Sequence, residues 1–98
     1  MIDVRKTDAE LVYDSLIFTF KKLESSVDAK FDIGVSISGG PTLVLCATRF
    51  IKPSMIFFEL SDEGAPVFAY LHASQVNISV RLVARSDATT QRPPIGFQ

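Results

Sequence analysis

"AELVYDSLIFTFKKLESSVDAK", residues 9–30, admits two readings, and they lead to different folds. The first is helical. Ala9, Val12, Leu16, Phe20 and Leu23 recur at steps of three and four, which gathers apolar side chains on one side of a helix. Thr7, followed three residues later by Glu10, has the pattern of a capping box. Lys21 and Lys22 suit the negative end of a helix dipole. A helix from about Asp8 to Ser26 follows. The second reading is mixed. Ile17, Phe18, Thr19 and Phe20 are β-branched or aromatic, the types that favour strands. Ser15–Phe20 would then be a strand and Lys21–Lys30 a short helix. Cap and period together favour the single helix.

Beyond residue 30 the period changes to two. Phe31, Ile33, Val35 and Ile37 alternate with Asp32, Gly34, Ser36 and Ser38, the mark of a half-buried strand. "GGP" at Gly39–Pro41 is a turn signal. "TLVLCATRF" (42–50) returns as a second strand, and "KPS" (52–54) breaks it. Met55–Leu60 is the third strand, "SDEGAP" its turn, and Val67–Leu71 the fourth. Gln75–Arg85 is the fifth, with Val76, Ile78, Val80 and Leu82 inward. The last stretch, "SDATTQRPPIGFQ", is polar and aperiodic and reads as a flexible tail. The expected fold is α+β: an N-terminal helix on a five-stranded, mainly antiparallel meander. The domain is expected to span residues 1–87 and the tail residues 88–98.

The bulk composition is consistent with this. Ninety-eight residues suffice for one domain. Hydrophobic residues make up 47% and charged ones 21%, a globular balance rather than a disordered one. The net charge of -1 supplies no global basic field for nucleic acid. The lone cysteine, Cys46, cannot form an internal disulfide, and inside "TLVLCAT" it reads as a buried small hydrophobe. The charged start "MIDVRKTDAE" is unlike a signal peptide, and no apolar run reaches the ~20 residues of a membrane helix. The expectation is a protein without a membrane span, located in the cytoplasm or nucleus.

Catalytic and metal signatures are weak. His72 is the only histidine, and nothing in the spacing of Ser74 or Cys46 brings either to it as a nucleophile. One histidine and one cysteine do not make a metal set. "SDEG" is too short for a calcium loop. "SGGP" precedes a strand, whereas phosphate-cradling glycines precede a helix. Asp8, Glu10, Asp14 and Glu24 lie at helical spacing and read as a solvated outer face. No enzyme and no cofactor is expected.

The informative excess is apolar. Strands two to four are apolar on both faces. The third places Met55, Phe57 and Glu59 on one face and Ile56, Phe58 and Leu60 on the other. One helix covers one face, so the second calls for another layer. The expected role is therefore a non-enzymatic interaction or assembly protein working as a homodimer or higher oligomer, or with another protein partner. Its expected interface is drawn from Met55, Phe57, Phe58, Leu60, Val67, Phe68 and Tyr70. The alternative is nucleic-acid binding, with aromatic rings stacking on bases and Lys21, Lys22, Arg49, Lys52, Arg81 and Arg85 as candidate phosphate contacts. A third possibility is an apolar ligand held between helix and sheet.

On the mixed reading, "LIFTF", "KKLESSVDAK", "FDIGVSIS", "TLVLCAT" and "MIFFEL" follow the order of strand, helix and three strands. "IFFELSDEGAPVFAYLHASQVNISVRLVARSD" adds an apolar strand, a Gly-x-Pro turn at Gly64-Ala65-Pro66, an apolar strand and a last strand ending in Ser-Asp. Over about Lys21–Asp87 this resembles the subunits of DNA sliding clamps and checkpoint clamps. The resemblance implies a DNA-binding ring built from repeated units. The chain departs from the family in length, since a clamp subunit needs at least two domains of two such units. Only Lys21, Lys22 and Lys30 correspond to the basic helix stripe.

Overall fold

A computed structural model describes residues 7–85 and 93–97 of the protein. The helical reading of the N-terminal stretch holds: α1 runs Asp8–Ser26 as one unbroken helix, through the segment Ser15–Phe20. Its start is fixed by the capping box. The Thr7 hydroxyl accepts from the Glu10 N–H, and the Thr7 N–H donates to the Glu10 carboxylate, both at 3.2 Å. The helix period overrides the strand preference of Ile17–Phe20 because it sends Phe20 to the interior together with Tyr13. Lys21 and Lys22 lie one turn short of the end, and the last turn carries no base.

Five strands follow: β1 (Phe31–Ile37), β2 (Thr42–Ile51), β3 (Met55–Asp62), β4 (Ala65–His72) and β5 (Ile78–Ala84). Tight turns close the first and third hairpins: the Gly40 N–H donates to the Ile37 carbonyl at 2.9 Å in the first, and a two-residue loop joins Asp62 to Ala65 in the third. Ser38 and Gly39 have φ of 51° and 76°, and Glu63 and Gly64 have φ of 50° and 92°. Two successive left-handed residues are the type I′ geometry that matches strand twist. The first four strands form the expected meander. β5 departs from it. A short 3₁₀ turn (Ala73–Gln75) leads the chain from β4 to the far edge, where β5 pairs antiparallel with β1 from Phe31↔Ala84 to Ile37↔Ile78. The order is β4-β3-β2-β1-β5.

The core lies between α1 and one sheet face. Phe20, Ile33, Val35, Ile56, Phe58 and Leu60 are fully buried there. Tyr13 is buried among them, and its hydroxyl donates to the Thr48 carbonyl at 3.3 Å. The β2–β3 register skips at Cys46: Leu45 faces Leu60, but Ala47 faces Glu59 and Thr48 faces Phe58. This bulge reverses the alternation of β2. Leu45 and Thr48 both face the helix, and Arg49 is carried to the opposite face.

Part of the expected tail is structured. Of residues 88–98, only 93–97 fall among the described ones. Ile95 is 7% exposed within the core cluster, and Gly96–Phe97 forms β6, parallel to β2 at Ala47 and Thr48. The Ile95 N–H donates to the Glu24 carboxylate at 2.6 Å. Glu24, expected on the solvated face, is half-buried and holds this segment, so residues 93–97 are not a free tail.

Candidate functional site

Phe57 and Phe58 sit side by side on β3 and point to opposite faces. Phe58 is 0% exposed beneath the helix. Phe57 belongs to the face that α1 does not cover. The β3–β4 register places Phe57 opposite Tyr70, with Phe68 opposite Glu59 on the same face. The Phe57 ring lies 5.9 Å from that of Phe68, nearly parallel at 18°, and 5.0 Å from that of Tyr70, tilted by 50°. The Arg49 guanidinium lies 4.8 Å over the Phe57 ring. Such contacts between rings and cations add to simple area burial. Phe57 is thereby only 8% exposed, while Phe68 and Tyr70 are 56% and 59% exposed. The result is a platform of two open rings resting on a third, with Arg49 at its side.

The expected interface set therefore divides. Met55, Phe57, Phe68 and Tyr70 share the open face. Phe58 and Leu60 are interior side chains of the helix-covered core and cannot meet a partner. Val67 is half-buried against that core. The expected basic contacts do not form one patch either. Arg81 is exposed opposite Gly34 on the open face. Arg85 is used internally, with Nη1 donating to the Ala29 carbonyl at 2.9 Å and Nε 3.6 Å from the Asp32 carboxylate. The Lys21 ammonium lies 5.6 Å from the Phe97 ring, Lys22 is exposed on the helix, and Lys52 is exposed in the β2–β3 turn.

Acids also shape the open face. Glu59 lies between Phe57 and the core residue Leu60 on β3, directly across from Phe68. Farther along, a groove is lined by Asp32, Thr42, Val44, Asp62, Glu63, Val83 and Arg85. Its floor is Gly34. A Cβ there would come within 2.6 Å of both Thr42 Cγ2 and Val83 Cγ2.

The groups with nucleophilic or titratable chemistry are tied into local structure. Ser74 bonds His72 Nδ1 twice: Oγ lies 2.7 Å away, and the backbone N–H donates at 3.2 Å. Accepting that N–H leaves the imidazole proton on Nε2 in the neutral ring. Both bonds span two residues and close the 3₁₀ turn, in which His72 is the N-cap. Cys46 is half-buried at the bulge. Burial pushes its thiol above the usual cysteine range, helped by the negative charges of Glu59 and Asp32. Among the described residues no group of three or more His, Cys, Asp or Glu is placed to hold a metal ion. No helix among them is long and apolar enough to cross a membrane.

Two apolar side chains on the helix were missed from the sequence. Leu11 and Phe18 are exposed, seven residues apart and so on one outer stripe. The periodicity of the inward stripe drew attention away from them. No protein-family model matches this chain, no curated protein matches it, and no solved structure matches its fold.

Proposed function

We propose that the protein is a non-enzymatic assembly module that binds a second copy of itself through its sheet, at the aromatic platform and the β4 edge beside it. The observation that carries this reading is the platform of Phe68 and Tyr70 on Phe57. Two large rings held more than half exposed by a buried third are an anchor for a partner's apolar surface. The opposite face argues against a ligand carrier, because Phe20 and Phe58 fill the layer between helix and sheet. Light scattering on the wild type and on Phe68→Lys tests the proposal. The wild type should show a mass above 10.8 kDa that rises with concentration, and the variant should stay at that mass while folded.

A second reading draws on Arg49. A guanidinium beside two open rings on a sheet also suits a stacked single-stranded nucleic acid. Glu59 at the platform and Asp62 and Glu63 along the groove oppose it, since a phosphate backbone would run past carboxylates, while Asp32 is paired with Arg85. Binding of a single-stranded oligonucleotide at low salt, lost in both Tyr70→Ala and Arg49→Ala, would favour this reading over self-assembly. The clamp-like arrangement has less support, because Ser15–Phe20, its first strand, lies within α1.

A further inference from the structure

β4 is the edge strand beside the platform, and its composition is unusual for an edge. Ala65–His72 reads APVFAYLH, eight residues without a Lys, Arg, Asp or Glu. Edge strands commonly carry charges that discourage pairing with another chain. The opposite edge has one: Arg81 is the middle residue of β5 (Ile78–Ala84). Pairing β5 with its own copy about that centre would set like charges face to face.

The hairpin geometry fixes which groups of β4 point outward. A two-residue type I′ loop closes on a hydrogen-bonded pair, here Asp62 and Ala65. Bonded and non-bonded pairs then alternate along the ladder. Val67, Ala69 and Leu71 bond to β3. Pro66, Phe68, Tyr70 and His72 turn their backbone groups to the free edge. Pro66, which lacks an N–H, stands at a position where β3 requires none.

We infer that two copies join by antiparallel β4–β4 pairing about a two-fold axis at Ala69, an inference that rests on the self-assembly reading above. In this register Phe68 exchanges both backbone bonds with the mate's Tyr70, and Tyr70 with the mate's Phe68. His72 N–H donates to the mate's Pro66 carbonyl, which does not require the donor that proline lacks. On the open face the two platforms merge into one two-by-two block of four rings, each Phe opposite a Tyr. On the helix face Val67 meets the mate's Leu71. Moving the axis to Tyr70 would set Phe68 opposite the mate's His72 and lose both Phe–Tyr pairs. Strand pairs with aromatic cross-strand neighbours are the stronger ones.

The two Ala69 residues then form a non-hydrogen-bonded pair with Cα atoms about 4.5 Å apart, within disulfide reach. The test is Ala69→Cys in a Cys46→Ser background, oxidised with glutathione disulfide. Ser79→Cys on the β5 edge serves as a collision control. The inference expects a covalent dimer from Ala69→Cys at least tenfold faster than from the control. Adding Phe68→Lys should abolish that difference. A wild-type dimer in which Ala69→Cys links no faster than the control overturns this register and leaves self-assembly standing. A wild type that stays monomeric at every concentration overturns both.

Discussion

Phe57 and Phe58 are consecutive in the chain and belong to different layers of the molecule. Phe58 is enclosed between α1 and the sheet, and Phe57 carries the platform on the other side. Their substitutions should therefore fail in different ways. Phe58→Ala removes a fully buried ring and should cost about 3–5 kcal/mol of stability. Phe68→Ala, which loses a half-exposed ring and its stacking on Phe57, should cost only about 1 kcal/mol of monomer stability. Urea unfolding at a concentration where the protein is monomeric separates the two.

Ile95 should behave as a core residue despite its polar surroundings in sequence. Ile95→Ala is expected to lose about 2 kcal/mol or more, as for other buried Ile truncations. Glu24→Gln should weaken the same segment by less, because a neutral amide oxygen still accepts the Ile95 N–H. Thermal melts followed by circular dichroism measure both.

Gly34 has no room for a methyl group under Thr42 and Val83. Gly34→Ala should destabilise the fold by about 1–3 kcal/mol through overpacking. Gly34→Ala with Val83→Ala, which removes one of the two clashing methyls, should recover part of that loss. A double-mutant cycle measures the coupling.

The raised titration of Cys46 predicts both its reactivity and a pH dependence. Alkylation by iodoacetamide should start at higher pH than for a free thiol, because the thiolate is the nucleophile. For stability, the folded thiol holds its proton more tightly than the unfolded one. Its contribution is complete below the unfolded cysteine range and is lost as pH rises through the folded value. Cys46→Ala should remove that part of the alkaline decline and leave the neutral range unaffected.

The helix and the strand boundaries were legible because they rest on local rules: a cap at Thr7 and Glu10, a step of three or four, then a step of two. What escaped depends on long-range register. The bulge at Cys46 turns Arg49 from the helix side to the platform, and no local pattern in "TLVLCATRF" announces it. The adjacency of Phe57 and Phe58 showed that one must leave the core, but only the hairpin register shows which. β5 pairs with β1 because the 3₁₀ turn takes the chain across the sheet end, where Ala73 is buried against the helix. Ile95 and Phe97 are two large apolar residues in an otherwise polar stretch, too few to set a period.

Self-association through β4 and the platform is tested most directly by sedimentation equilibrium, from micromolar to millimolar protein, on the wild type and Phe68→Lys side by side. The wild type should move from 10.8 kDa toward twice that mass and level off there, as a closed two-fold pair must. The variant should remain at the monomer mass throughout. A monomeric wild type, or a variant that associates as readily as the wild type, would contradict the account.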